Sequence, residues 1–275
     1  MPSNREAYFE ALKLEIPKSI IEFALKEVNG FTGFELTKFF DEEIKDYLLF
    51  KNAIEKYQNG EMIEYVFGKT YFLSNPFVVN KNVLIPRQET EQLVIRSVGL
   101  IKEMFPDKTI SIADICTGSG CIGLSIAKSL PDNIYYLTDI SKDALKVVKE
   151  NSINLLNENA NIKILCGDML EPLKGKKLDV IVCNPPYIED VKTIDNRTWE
   201  QEPHLALLAT PCTYFYAKLL QEYKKVVGEH YLIAFEIGED MEPSLNALLD
   251  TYCFDCSYSF EKDIYGKTRF LFIKH

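Results

Sequence analysis

The pattern of apolar and polar residues changes character near residue 70. Before it, apolar residues recur at near-helical spacing in two stretches, one following Pro17 and ending at Asn29-Gly30, the other running from Asp41 to Gln58. Proline suits a first helical turn and Asn-Gly ends a helix, so both stretches are predicted to be helical. We therefore expect a small N-terminal helical domain over residues 1–68, which shows no recognisable chemistry of its own.

Residues 69–86 read differently, because β-branched and aromatic residues surround Asn75-Pro76 and Asn80. This composition, broken by turn residues, predicts a β-hairpin. We expect it to connect the helical domain to a larger domain over residues 87–275.

Strand-like and helix-like segments alternate through that larger domain. Such alternation is typical of a parallel sheet covered by helices on both faces. The predicted strands are Ile110–Ile115, Ile134–Thr138, Ile162–Cys166, Leu178–Cys183 and Tyr231–Glu236.

The last two strand-like runs, at 256–263 and 267–274, are separated by only three residues, Ile264 to Gly266. That connection is too short for a crossover helix, so the two runs must pair antiparallel. Five parallel strands and this hairpin predict an α/β, Rossmann-like sheet of seven strands, which resembles that of S-adenosylmethionine-dependent methyltransferases more than that of dinucleotide dehydrogenases.

Composition narrows the class of protein. The chain has 275 residues, of which 47% are hydrophobic, enough for a sizeable core. It contains no apolar run of membrane-spanning length, and its first residues lack the apolar segment of a secretory signal, so we expect a cytoplasmic protein that does not enter membranes. A monomer is the simplest expectation.

Net charge and the distribution of cysteines argue against a nucleic-acid-binding protein and against a metal site. The net charge is -10, which disfavours long-range attraction to nucleic acid and suits a basic protein partner better. The seven cysteines are scattered, and only Cys253 and Cys256 have metal-ligand spacing, with no second ligand pair nearby. We expect reduced thiols and no metal.

A glycine-rich segment follows the first predicted strand of the large domain. Cys116, Thr117, Gly118, Ser119 and Gly120 occupy the position where open α/β sheets bind ligands, beyond the carboxyl end of a strand. With Gly123, the glycines also form GxGxxG, so a dinucleotide is an alternative ligand.

Two acidic residues after the next strands fit a nucleoside. Asp139 ends the second strand, where a carboxylate can accept hydrogen bonds from both hydroxyls of a ribose, and Asp168 follows the third, close to where an adenine would lie. NAD and S-adenosylmethionine both contain that ribose and adenine. The loop and these acids therefore leave the choice between the two cofactors open.

The sequence Asn184-Pro185-Pro186-Tyr187 follows the fourth predicted strand and favours methyl transfer. Pro186 restricts the backbone of Pro185, so the Pro185 carbonyl and the Asn184 side-chain oxygen can accept hydrogen bonds from one substrate NH2 group. An amide nitrogen is a poor nucleophile because its lone pair is delocalised, and two acceptors return electron density to it while they orient it. Tyr187 would supply a flat wall beside it.

Several segments, in order, resemble the protein-(glutamine-N5) methyltransferases of the release factor type, the HemK or PrmC family. NPPY alone is shared with adenine-N6 and guanine-N2 methyltransferases, but its combination with IPRxETE and EPxxAL is far more specific. The segments are Val83 to Glu91, Asp114 to Ala127, Thr138 to Ser141 with Asp143 to Leu145, Cys183 to Ile188, Glu202-Pro203 with Ala206-Leu207, Glu236 to Gly238, and Asp263 through Gly266 to Arg269.

The resemblance implies a helical domain that grips a peptide chain release factor and a catalytic domain that methylates the glutamine of its Gly-Gly-Gln loop, with a glutamine of a ribosomal protein as the alternative acceptor. It implies S-adenosylmethionine as the cofactor, bound by Cys116 to Gly120, Asp139 and Met169, and a glutamine pocket at Asn184 to Tyr187, with Asn184 also near the methionine end of the cofactor. Three positions depart from the family pattern: Gln88 replaces a proline, Cys116 a glycine, and Leu208 to Cys212 a glycine-rich turn.

Three other functions remain as alternatives. A nucleic-acid base methyltransferase could use the same NPPY segment to hold an exocyclic amine of a flipped base. A binding module that keeps the cofactor fold without catalysis is disfavoured by the intact Asn184 and Asp139. A nicotinamide dehydrogenase is disfavoured, because this sequence has no histidine or lysine obviously placed as a proton donor.

Overall fold

The structure, a computed structural model, describes residues 1–156 and 160–275. The chain divides into two compact units, residues 1–69 and residues 70–275. No helix in the described residues combines the length and the apolar character needed to cross a membrane. Groups of histidine, cysteine and carboxylate side chains arranged to hold a metal ion are also absent from that part of the chain.

The first unit is built from short helices around an apolar core. The first helix of the unit begins with a capping box at Ser3. The Ser3 side chain accepts a hydrogen bond from the Glu6 amide, and the Glu6 side chain accepts one from the Ser3 amide. Ile21, Leu25, Ile44 and Phe50 are buried in its core. The helices are α1 (Asn4–Lys13), α2 (Lys18–Asn29), α3 (Glu35–Lys38), α4 (Tyr47–Gln58) and α5 (Ile63–Phe67).

The helix predicted from Asp41 begins later, at Tyr47. The side chain of Asp46 accepts a hydrogen bond from the Leu49 amide and so caps the helix there. Ile44 contributed to the helical spacing, but it lies before the helix and is buried in the core of the unit. The other helix ends at Gly30 as predicted, with φ of +73° at that glycine.

A hairpin of β1 (Lys69–Phe72) and β2 (Asn75–Val78) comes next, shorter than the 69–86 segment predicted. Its two turn residues, Leu73 and Ser74, have φ of +48° and +61°, the left-handed conformation that a two-residue hairpin turn needs. The rings of Phe72 and Phe77 anchor the hairpin in the core of the second unit. Residues 79–87 continue without a regular element to the next helix.

The described residues of the second unit form a sheet of seven strands with the order β5-β4-β3-β6-β7-β9-β8. Neighbouring strands are parallel up to β7, and β9 pairs antiparallel with β7 and β8. The predicted fold is thereby confirmed. The strands are β3 (Ser111–Ile115), β4 (Ile134–Asp139), β5 (Asn161–Cys166), β6 (Leu178–Cys183), β7 (Val227–Glu236), β8 (Ser257–Lys262) and β9 (Thr268–Lys274).

Helices cover both faces of this sheet, and each face has its own buried cluster of apolar side chains. The helices are α6 (Gln88–Met104), α7 (Cys121–Ser129), α8 (Lys142–Leu155), α9 (Asn196–Gln201), α10 (Tyr214–Glu222) and α11 (Glu242–Tyr252).

The strand register brings the carboxyl ends of the central strands to one edge. Ile115 of β3 lies opposite both Thr138 of β4 and Cys183 of β6, and Cys183 lies opposite Phe235 of β7. Strands β4 and β5 lie on one side of β3, whereas β6 and β7 lie on its other side. The connections that leave β3 and β6 therefore lead in opposite directions, and a crevice opens between these two strands. The segments that follow these strands share that crevice.

Candidate active site

The glycine-rich loop after β3 turns sharply through left-handed backbone. Cys116, Gly118 and Gly120 have φ of +58°, +55° and +83°. The Thr117 amide donates to the Thr138 carbonyl at 3.0 Å, and the Gly120 amide donates to the Thr117 carbonyl at 2.8 Å. A side chain is disfavoured in this region of backbone space, which explains why glycine is usual at the position that Cys116 occupies.

The side chain of Asp114 stabilises the glycine-rich loop through hydrogen bonds. Its side chain is buried, and its Oδ2 accepts from the Thr117 hydroxyl at 2.5 Å and from the Gly123 amide at 2.8 Å. Burial raises the pKa of this carboxyl to about 7, and the two hydrogen bonds oppose the rise. Asp114 therefore joins β3, the loop and the start of α7.

Gly123 fits a space that no side chain can enter. A Cβ atom there would lie 2.9 Å from the Asp114 Cβ and 3.1 Å from the Leu137 Cγ. We expect Gly123→Ala to lower the free energy of unfolding by about 1–3 kcal/mol, since a buried overpacked atom forces its neighbours to shift. Urea denaturation measures this change.

Gly99 is the matched control for Gly123, because it is also helical, with nothing within 4 Å of a Cβ atom. Gly99→Ala should raise the free energy of unfolding by about 0.5–1 kcal/mol through helix propensity. Equal effects of the two substitutions would contradict a steric role for Gly123.

Asp139, at the end of β4, holds the loop from the other side. Its Oδ2 accepts from the Gly118 amide at 3.0 Å and its Oδ1 from the Ser141 amide at 2.9 Å. Burial raises the pKa of this carboxyl, and the backbone hydrogen bonds limit the rise. Each oxygen keeps a second lone pair, so the carboxylate can still accept hydrogen bonds from a ligand.

A cavity of about 310 Å³ opens at the crevice. Seven of the residues predicted from the sequence contribute to its lining: Cys116, Gly118, Asp139, Asp168, Met169, Asn184 and Pro186. Residues that the sequence analysis did not assign also line it, including Ile140, Leu205, Tyr214, Phe215 and Lys218. Tyr214, Phe215 and Lys218 come from α10, which carries no recognisable motif, whereas Leu205 is one of the two variable positions of EPxxAL.

Asp168 and Met169 lie together on the β5 side of the cavity. Lys218 of α10 forms an ion pair with Asp168, whose side chain remains 39% exposed. Met169 has φ of +51°, and its sulfur lies 3.7 Å from that of Cys116. The predicted alternation of strands and helices could not indicate that Lys218 of α10 reaches Asp168.

The remaining predicted site residues, Thr117, Ser119, Gly120, Pro185 and Tyr187, lie beside lining residues in the chain. Thr117 and Ser119 are buried; the Thr117 hydroxyl binds Asp114 and the Ser119 carbonyl accepts from Asn151 at 2.9 Å. The Thr117 side chain and the Ser119 backbone thus support the loop from within. Tyr187 packs against the core, and burial raises its pKa to about 12.

The NPPY segment continues β6 into the crevice. Asn184 is half-buried, whereas Pro185 and Pro186 are buried. Ile188 then pairs with the segment that replaces the glycine-rich turn: its amide donates to the Leu207 carbonyl at 3.0 Å, and its carbonyl accepts from the Ala209 amide at 2.9 Å. The atypical 208–212 segment therefore still meets the backbone directly after NPPY.

Side chains from distant segments surround Asn184. Its Nδ2 donates to the Thr90 hydroxyl oxygen at 3.5 Å, and the Thr90 hydroxyl donates to Glu236 Oε2 at 2.6 Å. Burial raises the pKa of Glu236 to about 7. Thr90 and Glu236 belong to the IPRxETE and Glu-Ile-Gly segments, which contribute to the family resemblance but for which no site role was predicted.

Two further pairs connect the remaining segments. Buried Glu202 accepts from the Ile85 amide at 3.1 Å and from the Arg87 guanidinium, which joins EPxxAL to IPRxETE. Arg269 lies 3.6 Å from Asp263 and partly offsets the raised pKa of Tyr187. The separate segments therefore form one connected edge around NPPY.

Comparisons with known proteins agree with this geometry. The family model described as "Methyltransferase small domain" matches residues 95–201. A solved structure of a methyltransferase from Pyrococcus furiosus has a TM-score of 0.52 at 15% identity, over 82% of this chain and 98% of that one, and so supports the fold alone.

Two curated relatives are each named release factor glutamine methyltransferase. That of Bacillus anthracis is 35% identical over 228 residues, covering 81% of this chain and 80% of its own length. That of Mycoplasma mycoides is 36% identical over 221 residues, covering 78% and 76%. The resemblance seen in the sequence is thus confirmed, and the chain belongs to the release factor glutamine methyltransferase family.

Proposed function

We propose that this chain transfers a methyl group from S-adenosylmethionine to the side-chain amide nitrogen of a glutamine, in the Gly-Gly-Gln loop of a peptide chain release factor. The observation that carries the proposal is the position of Asn184 and Pro185, directly beside a cavity that also contains Asp139 and Met169. Release factors act in translation, so a cytoplasmic location follows from the same proposal.

The cavity suits S-adenosylmethionine. Asp139 has free lone pairs for the ribose hydroxyls. Met169 and Phe215 provide apolar surface for an adenine, and Asp168 offers acceptor oxygens at its edge. Gly118, where a Cβ atom would meet nothing within 4 Å, leaves the loop backbone open to the ligand.

Asn184 and Pro185 carry out the chemistry by orientation and hydrogen bonding. S-adenosylmethionine supplies an electrophilic methyl group on a sulfonium. The Asn184 Oδ1 and the Pro185 carbonyl accept the two hydrogens of the glutamine NH2, which raises electron density on its nitrogen and aims it. On transfer, the bond between the methyl group and the sulfonium sulfur would break and leave a neutral thioether, while the nitrogen would give up one hydrogen as a proton to water.

The acceptor is tested with the full chain and labelled S-adenosylmethionine. Separate reactions contain a purified release factor, a ribosomal protein with glutamine, and tRNA or DNA, and mass spectrometry locates the label. We expect label on the Gly-Gly-Gln glutamine, and none on a release factor in which that glutamine is replaced by alanine. Label on a nucleic-acid base would overturn the proposal in favour of a base methyltransferase.

The first unit, residues 1–69, is proposed to recognise the protein substrate. Its surface exposes large apolar side chains, Phe34 at 91% and Leu48 at 79%. Exposed aromatic and aliphatic side chains of this size are common anchors in protein interfaces.

Replacing these anchors should therefore weaken recognition. The double variant Phe34→Ser, Leu48→Ser should raise KM for intact release factor about 30-fold, since each interface anchor contributes about 1 kcal/mol and the two together about 2 kcal/mol. Steady-state kinetics of the full chain, with intact release factor and with a short Gly-Gly-Gln peptide, measure the effect, and kinetics with the peptide should not change.

Phe254 is the matched control, an 80% exposed ring in the second unit. Phe254→Ser should leave KM for intact release factor and the kinetics with the peptide unchanged. An unaltered KM for intact release factor in the double variant argues against substrate recognition by this surface, as does an equal loss with the peptide.

A further inference from the structure

The strand register places Asn184 next to a buried carboxylate. Cys183 of β6 lies opposite Phe235 of β7, so the next residues, Asn184 and Glu236, reach the same edge of the sheet together. Thr90, in the first turn of α6, lies against both of them. Thr90 and Glu236 are only 2% and 3% exposed, so water does not substitute for their mutual hydrogen bond.

The direction of each hydrogen bond in this network is determined by its buried end. Above its pKa of about 7, the Glu236 carboxylate only accepts, so the Thr90 hydroxyl hydrogen is then used in its 2.6 Å bond to Glu236. The Thr90 oxygen then has only lone pairs for Asn184, and it accepts from the Asn184 NH2 group at 3.5 Å. The carboxamide oxygen of Asn184 is consequently turned away from Thr90.

We infer that Thr90 is a positioning residue, which together with Glu236 determines the rotation of the Asn184 carboxamide and leaves its oxygen to face the substrate. The inference rests on the proposed function, in which that oxygen accepts a hydrogen from the substrate NH2. A carboxamide turned by 180° would present its own NH2 to the substrate NH2, and two donors cannot form a hydrogen bond. Thr90 thus acts on the reaction through Asn184 and touches no reacting atom.

Substitutions of Thr90 test the inference in the full chain. Thr90→Val keeps the shape but removes the hydroxyl, and we expect kcat to fall about tenfold, with the Kd for S-adenosylmethionine and KM within about twofold of wild type. Thr90→Ser restores the hydroxyl and should recover most of kcat. Glu236→Gln, which removes the accept-only end of the network, should lower kcat in the same way.

Ser97 provides the control on the same helix. Its hydroxyl is buried, and no hydrogen-bond partner for it occurs within residues 1–156 and 160–275. Ser97→Ala should leave kcat unchanged. A tenfold fall of kcat in Ser97→Ala would overturn the inference, since loss of any buried hydroxyl of α6 would then have the same effect.

A double-mutant cycle separates positioning from a general structural role. In the Asn184→Ala background there is no carboxamide to orient, so Thr90→Val should lower kcat by no more than about twofold. A full tenfold loss in that background would overturn the inference, as would wild-type kcat for Thr90→Val alone.

The same cycle distinguishes this inference from the proposed function. If wild type methylates glutamine but Thr90→Val has no effect, the inference fails and the proposed function stands. If the label is found on another NH2 acceptor, such as a base, the proposed function fails. The coupling of Thr90 to Asn184 is then measured on that acceptor, where its presence supports the inference and its absence contradicts it.

Discussion

Asn184→Ala is expected to lower kcat for glutamine methylation about a hundredfold or more, because one of two oriented acceptors for the substrate NH2 is lost. Removing one such buried partner costs on the order of 3 kcal/mol in transition-state stabilisation. The Kd for S-adenosylmethionine should change much less, although Asn184 lines the cavity. Single-turnover kinetics measure the rate, and calorimetry measures cofactor affinity.

Asn184→Asp tests whether position 184 needs only a hydrogen-bond acceptor or needs a neutral one. A carboxylate still accepts, but it places full negative charge near the sulfonium and favours the reactant over the less charged transition state. It also brings a second carboxylate beside Glu236, where Thr90 has only one hydrogen to donate. We expect this variant to retain cofactor binding and to catalyse poorly.

Asn196, exposed at the start of α9, is a suitable control for both substitutions. Asn196→Ala should behave as wild type. Near-wild-type turnover on a glutamine substrate by either Asn184 variant would falsify the proposed role of the NPPY segment.

Asp139→Ala should weaken S-adenosylmethionine binding by about 1.5–3 kcal/mol, or roughly 10- to 150-fold in Kd, the scale of hydrogen bonds to a charged group. Part of this loss arises within the protein, because the amides of Gly118 and Ser141 lose their acceptor as well. Calorimetric titration gives the affinity, and NAD titrated under the same conditions should show no binding.

Asp143, an exposed residue in the first turn of α8, provides the control for Asp139. Asp143→Ala should leave the affinity unchanged. Urea denaturation of ligand-free Asp139→Ala measures how far the loop itself is destabilised. Unchanged cofactor affinity in Asp139→Ala would rule out its assignment to the ribose.

The sequence by itself determined the fold of the second unit and the positions of its two main motifs. Hydrophobic periodicity is a local property, so the strands were predicted within a few residues; β6 was predicted as Leu178–Cys183 and observed there. Both the Cys116–Gly120 loop and Asn184 follow a buried strand directly. Parallel strands place such segments at one edge of a sheet, which made their proximity predictable.

Only the tertiary structure decided what surrounds Asn184. Thr90 lies 94 positions from Asn184 and 146 from Glu236 in the chain, and Lys218 lies 50 from Asp168. These contacts depend on strand order, on register and on the side of the sheet where α6 and α10 pack. Those features result from the packing of the whole unit, so no local pattern in the chain specifies them.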